Sequence, residues 1–252
     1  MNFSGISRDS LIGRLLRFPL GLIPENARMP ILQGALRGKK WIVGSGNHGY
    51  WFGSYEYEER ILFEKTITKS SVVFDVGAHC GFYTLLASEL VGAKGKVFEF
   101  EPLPRNLRYL REHLRINGVL NVTVVEAAVS DKCGVSFFDP GPHHSMGKLV
   151  SSVPLRFNTV SLDSLVNKDG FPVPDYIKID VEGAEAQVLS GAESILKMRH
   201  PTIFLAVHEP ESRRESCDIL KRSNYRLGGI NGKAVERSDT IIAVPLKIGH
   251  EE

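Results

Sequence analysis

The sequence predicts an α/β fold in which a parallel sheet carries helices on both faces. From residue 71 onward, short apolar runs alternate with amphipathic helical patterns, and this alternation is typical of parallel sheets. At 252 residues, the chain is long enough to bury a sizeable core in one α/β domain. Its 42% apolar and 24% charged residues are usual for a globular protein.

The apolar runs predict six strands, at residues 71–77, 96–102, 121–130, 175–183, 202–210 and 238–245. Helical patterns lie between them, at residues 81–92, 103–118, 184–198 and 211–223. In open sheets of this kind, a ligand binds beyond the carboxyl ends of the strands, where the strand order switches. The residues that end each strand are therefore the first candidates for a functional site.

Residues 132–174 depart from the alternation and are rich in Gly, Pro, Ser and His. We interpret them as a loop or hairpin insertion near the same rim. Long loops in compact domains are often functional, so this insertion is a candidate substrate loop in which His143 and His144 contact the substrate. The alternative is a surface excursion with a short hairpin and solvated histidines.

Residues 1–60 are predicted to form a helical or irregular extension that packs on a core domain at 61–252. Residues 1–40 hold seven Lys and Arg residues against two acids, Asp9 and Glu25, and so carry a net charge of +5. The segment "DSLIGRLLRFPLGLIP" predicts a short basic amphipathic helix. Such a helix either makes peripheral contact with a membrane or docks on the domain or on a second subunit of a homo-oligomer.

Composition also bears on partners and location. A formal net charge of +2 gives no case for a nucleic-acid binder. The three cysteines lie far apart without a CxxC pair, which suits a reducing compartment. No apolar run reaches the roughly 18 residues of a membrane span, and arginines interrupt the apolar start where a signal peptide would be continuous. We therefore expect a cytoplasmic protein.

The first strand ends in a glycine turn. Asp75 ends the strand, and Gly77 and Gly81 open the turn into the next helix, giving the pattern D-x-G-x-x-x-G. Glycine lets the backbone approach a ligand closely, and a helix N-terminus offers free N–H groups. The fingerprint G-x-G-x-x-G is absent, which counts against NAD and FAD. A tight strand–helix connection without a ligand is the alternative.

The second strand ends in an acid. Glu101 lies 26 residues after Asp75, and a carboxylate there can accept both hydroxyls of a ribose. Glu99 shares its face by strand alternation and competes for this role, but Pro102 ends the strand directly after Glu101 and favours the latter. An acid that only complements a helix dipole is the alternative.

Several blocks together resemble a known family. "FDVGAHCGFYT", "FEFEPLPRN", "VVEAAVSD", "VSLDSL" and "IKIDVEGAE" are similar, in order, to the blocks of FkbM-type S-adenosylmethionine-dependent methyltransferases. Upstream, "WFGSYEYEE" resembles the Gly-x-Tyr-Glu block of those proteins, and the likeness covers roughly residues 50–210. It implies a Rossmann-like class I methyltransferase fold, with a mostly parallel seven-stranded sheet, helices on both faces and an antiparallel last strand.

The same resemblance implies an S-adenosylmethionine site. The glycine turn would line the methionine side of the cofactor, Glu101 the ribose, and residues 128–130 the adenine, while residues 55–56 would close the pocket. The residues assigned in this way are Tyr55, Glu56, Asp75, Gly77, Ala78, Gly81, Glu101, Ala128, Val129 and Ser130.

Acids and a histidine end the fourth and fifth strands, and they are the candidates for the acceptor side. Methyl transfer to a hydroxyl needs a group that takes the hydroxyl proton, and Asp180 or His208 is the expected base. Glu182 alternates onto the face of Asp180 and is a candidate substrate contact. The pair 180–182 could instead cap the following helix. Lys178, between isoleucines, is expected either to pair with Asp75 or Asp163 or to be solvated at a strand end.

A second reading of these strand ends is a metal site. Asp180, His208 and Glu209 fall where metal-dependent O-methyltransferases bind a divalent ion, and such donors suit Mg²⁺ or Mn²⁺. The family pattern has a Glu two residues before the His, and Ala206 stands there in this chain. That departure weakens any role carried over to the end of the fifth strand.

Three functions remain in view. The favoured one is an S-adenosylmethionine-dependent O-methyltransferase acting on a hydroxyl of a sugar, glycoconjugate or secondary metabolite. The Asn/Asp-Pro-Pro-aromatic run of nucleic-acid N-methyltransferases is absent after the fourth strand. A non-catalytic regulatory module with the same fold is one alternative, and a nucleotide-dependent oxidoreductase is a weaker one.

Overall fold

The structure is a computed structural model that describes residues 18–138 and 155–246. Its strands are β1 (Arg28–Pro30), β2 (Lys40–Ile42), β3 (Val72–Val76), β4 (Lys96–Phe100), β5 (Val122–Val125), β6 (Ala128–Val129), β7 (Gly134–Phe138), β8 (Leu155–Val160), β9 (Tyr176–Ile179), β10 (Thr202–Ala206), β11 (Tyr225–Gly229) and β12 (Thr240–Pro245). Its α-helices are α1 (Gly49–Phe52), α2 (Tyr57–Thr66), α3 (Phe82–Val91), α4 (Pro104–Ile116), α5 (Leu162–Asn167), α6 (Glu185–Ser190), α7 (Glu193–Met198) and α8 (Pro210–Arg222).

Seven strands form the central sheet, in the order β11-β12-β10-β9-β3-β4-β5. Neighbours from β10 to β5 pair in parallel, whereas β12 runs antiparallel to both β10 and β11. The predicted fold class, a mostly parallel seven-stranded sheet with an antiparallel last strand, is confirmed. The strand order reverses between β3 and β9, so the crevice expected for a ligand lies at their carboxyl ends.

Strand alternation separates the core into two halves, one on each face of the sheet. In β3, Phe74 and Val76 face one half, where α6 and α7 contribute Val188 and Leu196. Val73 faces the other half, which α2 and α3 cover. Burying each such apolar side chain contributes about 1.5–3 kcal/mol. Helices therefore lie on both faces, as predicted.

The predicted third strand, at 121–130, is wrong as one continuous element. β5 belongs to the central sheet, but β6 leaves it and pairs in parallel with β8 in a separate sheet of order β6-β8-β7. The Ala127 N–H donates to the Val125 carbonyl oxygen at 2.9 Å, which turns the chain between the two strands. The strand β11 was missed, although the resemblance implied seven strands.

The helix predicted at 184–198 is two helices, α6 and α7. They are separated at Gly191, where a Cβ atom would lie 2.1 Å from the Ser130 carbonyl oxygen. The backbone that follows β6 of the small sheet therefore approaches Gly191 so closely that only glycine fits there.

The predicted insertion at 132–174 is described in part. β7 and β8 pair in antiparallel orientation. Ser161 is the N-cap of α5, and its Oγ accepts the Ser164 N–H at 3.2 Å. His143 and His144 lie outside the described residues, so their substrate contact stays a prediction.

Residues 18–66 pack against α4 and the sheet through aromatic side chains. Trp41 stacks on His113 of α4 with ring centroids 3.8 Å apart, and Phe63 meets Phe204 of β10 at 4.9 Å. Most of the predicted basic amphipathic helix lies outside the described residues, so membrane contact and a homo-oligomer stay predictions. Within the described residues, no helix has the length and apolar character to cross a membrane.

Candidate active site

The glycine turn lies between β3 and α3, at the carboxyl end of the sheet. Gly77 and Gly81 have φ values of +83° and +85°, the left-handed region that favours glycine. A Cβ atom on Gly77 would lie 1.9 Å from the Asp180 carbonyl oxygen. The Gly77 and Ala78 N–H groups donate to the Phe100 carbonyl oxygen at 3.0 and 3.2 Å. The turn is thus held against β4 on one side and the end of β9 on the other.

Asp75 is the penultimate residue of β3, two residues before Gly77, and its contact with a cofactor stays a prediction. Its side chain is buried, and Oδ2 accepts the Thr84 hydroxyl at 2.6 Å. Burial raises the pKa of Asp75, while Lys178 and Thr84 act in the opposite direction. The contact to Thr84 ties the end of β3 to the first turns of α3, and so fixes the shape of the glycine turn.

The carboxylate of Glu101 lies beside the glycine turn, and its contact with a ribose stays a prediction. Its two carboxylate oxygens accept the His79 and Leu103 N–H groups at 2.9 and 2.8 Å, so the carboxylate is anchored beside the turn. Burial raises its pKa to about 7. Glu99 is fully buried beside Asp75, its neighbour on β3, and burial together with Asp75 raises its pKa to about 9.

The N-terminal side of the turn is covered by aromatic rings. Tyr55 stacks on Tyr50 with centroids 4.0 Å apart and meets the ring of Phe82 edge-on at 5.5 Å. Phe82 directly follows Gly81, and Glu56 precedes α2 with a left-handed φ of +41°. Tyr55 therefore lies next to the residue that follows the glycine turn, and the closing of a cofactor pocket by residues 55–56 stays a prediction.

The segment predicted to flank the adenine is mostly engaged in packing. Val129 is buried in the core, and the Ser130 N–H donates to the Val160 carbonyl oxygen at 2.9 Å. Ala128 is half-buried in β6. Contact of 128–130 with an adenine stays a prediction.

The acceptor side is a chain of charged groups at the ends of β9 and β10. Asp180 Oδ1 lies 3.7 Å from His208 Nε2. On the other edge of the imidazole, Nδ1 is 3.4 Å from Glu185 Oε1 and 3.9 Å from Glu182 Oε2. Glu185 is itself held by the Gly183 N–H at 2.9 Å and by the Ser212 hydroxyl. The sequence paired Asp180 with His208, but it missed Glu185, whose signal is its place in "VEGAE".

Lys178 lies beside Asp75, one of its two expected partners, and pairs at shorter distance with other acids. Its Nζ lies 2.9 Å from Asp180 Oδ2 and 3.8 Å from Glu59 Oε1. Asp163 instead caps α7, where its two oxygens accept the Ser194 and Ile195 N–H groups. The expected pairing of Lys178 with Asp163 is wrong.

These contacts set the charge states of the acceptor side. The hydrogen bond to Glu185, opposed by burial and aided by Glu182 and Asp180, raises the pKa of His208 to about 9. Burial alone would raise the pKa of Asp180, but Lys178 and His208 bring it below its ordinary value. At neutral pH, His208 is therefore a cation and Asp180 an ionised carboxylate.

The predicted metal donors do not converge on one point. Glu209 begins α8, and its carboxylate lies beside Gly183. The Asp180 carboxylate is already paired with an ammonium group, and His208 turns Nδ1 toward Glu185. Across the parts of the chain that the structure describes, no three His, Cys, Asp or Glu side chains are grouped as ligands of a metal ion. The donor set thus does not fit Mg²⁺ or Mn²⁺.

Comparison with known proteins supports a single family. A family model described as the methyltransferase FkbM domain matches residues 75–227. The hexuronic acid methyltransferase AglP of Haloferax volcanii is 32% identical over 167 residues. That match covers 65% of this chain and 66% of the relative, which is slightly less than two thirds of the relative's length.

Solved structures are similar in fold. A methyltransferase FkbM from Methylobacillus flagellatus superposes with a TM-score of 0.51 at 21% identity, covering 69% of this chain and 43% of that one. A putative O-methyltransferase from Klebsiella pneumoniae has a TM-score of 0.51 at 16% identity, with 81% and 84% covered. At these identities the likeness shows the fold alone, which is that of class I methyltransferases.

Proposed function

The chain belongs to the FkbM methyltransferase family, and on that premise we propose that it transfers a methyl group from S-adenosylmethionine to a sugar hydroxyl. One contact carries the proposal: the glycine turn packs directly on the Asp180 backbone, since a Cβ on Gly77 would lie 1.9 Å from the Asp180 carbonyl oxygen. The donor half and the acceptor half of the proposed site therefore adjoin.

The residues of the turn fit this cofactor. Gly77 and Gly81 supply the left-handed backbone that the turn needs at the carboxyl end of the sheet, and the anchored Glu101 carboxylate keeps lone pairs that can accept two ribose hydroxyls. Tyr55 and Glu56 would close the methionine end, and residues 128–130 would flank the adenine. When bound, the cofactor's sulfonium supplies the methyl group.

Asp180 is the proposed proton acceptor, because it is ionised while His208 already carries a proton. A hydroxyl placed beside Oδ1 would pass its proton to this carboxylate as its oxygen forms the bond to the methyl group and the bond from the methyl group to sulfur breaks. His208, 3.7 Å away, would stabilise the developing charge, and the exposed Glu182 would contact the acceptor. No step is routed through a metal.

A sugar acceptor is favoured over a secondary metabolite by the printed function of the relative, which acts on a hexuronic acid. A hexuronic acid offers both hydroxyl and carboxylate oxygens. The acceptor side of this chain holds the carboxylates of Asp180, Glu182 and Glu185 around a single imidazole. An acceptor carboxylate would be repelled there, so ether formation is proposed over ester formation.

The test is transfer from methyl-labelled S-adenosylmethionine to hexoses and hexuronic acids, each free and as aryl glycosides. We expect an alkali-stable labelled product, because a methyl ether resists base while a methyl ester does not. Asp180→Asn should lower kcat by about 100-fold or more and leave S-adenosylhomocysteine affinity within about threefold, whereas the exposed Asp218→Asn should match the wild type. An alkali-labile product, or full activity of Asp180→Asn, would contradict the proposed chemistry.

A further inference from the structure

We propose that Lys178 is a positioning residue, which holds the Asp180 carboxylate in place by bridging it to Glu59 of α2. The Lys178 Nζ lies 2.9 Å from Asp180 Oδ2 and 3.8 Å from Glu59 Oε1. The inference rests on the proposed function, because Asp180 is the carboxylate that would receive the hydroxyl proton. Glu59 lies outside residues 75–227, so the family match assigns it no role.

Apolar packing fixes where Glu59 stands. Lys178 in β9 pairs with Phe204 in β10, so their side chains lie next to each other on one face of the sheet. Phe63 of α2 packs on Phe204, with ring centroids 4.9 Å apart. Glu59 precedes Phe63 by one helical turn and therefore lies over Lys178. The Thr240 hydroxyl of β12 donates to Glu59 Oε2 at 2.6 Å and holds the carboxylate from the far side.

The surroundings of Lys178 leave its ammonium little freedom. The side chain is 2% exposed, and Nζ lies 4.3 Å from the centre of the Tyr83 ring. Asp75, beside it on β3, adds a further carboxylate in the same row of the sheet. The ammonium thus lies among acids that belong to different elements and reaches one of them, Asp180, at hydrogen-bond distance.

Fold stability alone does not require this arrangement. Apolar side chains of similar volume often replace a buried ion pair without loss of stability. They cannot hold a carboxylate at the rim, and Asp180 is at the rim, with 21% of its side chain exposed. The geometry therefore indicates that the Lys178 ammonium serves to hold the Asp180 carboxylate in position.

A double-mutant cycle separates placement from stability. Lys178→Met leaves Glu59 without a cation and Asp180 with His208 as its remaining cationic partner. We therefore expect the melting temperature to fall by on the order of 10 °C and kcat by about 100-fold. Adding Glu59→Gln removes the buried unpaired charge and should restore most of the melting temperature. The double variant should keep the low kcat, with KM and S-adenosylhomocysteine affinity within about threefold of the wild type.

Crystal structures of the wild type and the double variant give a second readout that needs no turnover. We expect the Asp180 carboxylate to move by more than about 0.5 Å in the double variant. Recovery of wild-type kcat, or an unmoved carboxylate, would overturn the inference and leave Lys178 a stabilising residue only. If the wild type transfers no methyl group, the proposed function fails, and the position of the carboxylate decides the inference alone. Lys197→Met, which breaks the exposed pair with Glu193, is the control.

Discussion

At the scale of single residues, Gly77 is under two separate constraints. Its φ of +83° strains any other residue, and an added Cβ would lie 1.9 Å from the Asp180 carbonyl oxygen. Gly118 has a φ of +65° but open space around its Cβ position, so Gly118→Ala tests the conformational strain alone. We expect Gly118→Ala to cost about 1–2 kcal/mol of unfolding free energy and Gly77→Ala clearly more, because the end of β9 must also shift.

Urea unfolding of both variants measures this difference, and methyl transfer shows its consequence for the site. Gly77→Ala should lose activity even where it remains folded, since Asp180 moves with its backbone. Equal stabilities for the two alanine variants would mean that the close approach of the turn to Asp180 is absent.

Local patterns were sufficient to predict where the first two strands of the central sheet end and where the glycine turn lies. Asp75, Gly77 and Glu101 each end a strand or open a turn, and a few neighbouring residues are enough to predict such features. The contact of Lys178 with Glu59 could not be predicted from neighbouring residues. Glu59 reaches it from a helix far away in the sequence, through the packing of Phe63 on Phe204, and no local spacing encodes that contact. Likewise, only the fold shows that Glu99 is fully buried.

At the scale of elements, sequence patterns predicted the helices and strands of the central sheet well and failed where tertiary contacts divide a pattern. The apolar run at 121–130 suits a single strand, yet β6 leaves the sheet because β8 offers it a partner. The helical pattern at 184–198 is divided where Gly191 meets the Ser130 carbonyl. Both departures arise from the same small sheet, whose position no local pattern reveals.

The docking of the β1–β2 hairpin on α4 depends on a neutral His113. The imidazole is fully buried against Trp41, its Nε2 accepts the Ile42 N–H at 3.1 Å, and Nδ1 lies 2.8 Å from the Cys80 carbonyl oxygen, to which it donates. Burial lowers its pKa to about 4. A histidine whose pKa is depressed in the folded state stabilises it above the unfolded pKa of about 6.5. That contribution is lost as the pH falls from about 6.5 to 4.

We therefore expect the wild type to lose about 2 kcal/mol more unfolding free energy between pH 7 and pH 5 than His113→Gln, which cannot titrate there. Urea unfolding at the two pH values measures this difference for both proteins. Carboxyl groups contribute equally to both and cancel in the comparison. If the unfolding free energies of the two proteins changed equally with pH, His113 would have the same pKa in the folded and unfolded states, contrary to its burial.

At the scale of the whole molecule, the fold class does not by itself choose a ligand, because related α/β sheets bind different nucleotides at the same edge. The choice of S-adenosylmethionine over a nicotinamide cofactor rests on the D-x-G-x-x-x-G turn, the acid at 101 and the absence of G-x-G-x-x-G. A ligand that binds only the folded state raises the stability of the protein. The melting temperature measured with each ligand therefore shows which of the two cofactors binds.

At a hundredfold excess over its Kd, S-adenosylhomocysteine should add about 2.7 kcal/mol of stability, which corresponds to a rise in melting temperature of about 5–10 °C. NADH at the same concentration should give no rise. Glu101→Gln keeps the shape of the side chain but replaces one of the two oxygens that would accept the ribose hydroxyls. Its melting temperature should therefore rise less with S-adenosylhomocysteine than that of the wild type. A rise in melting temperature with NADH alone would favour the oxidoreductase. No rise with either ligand would favour the non-catalytic module.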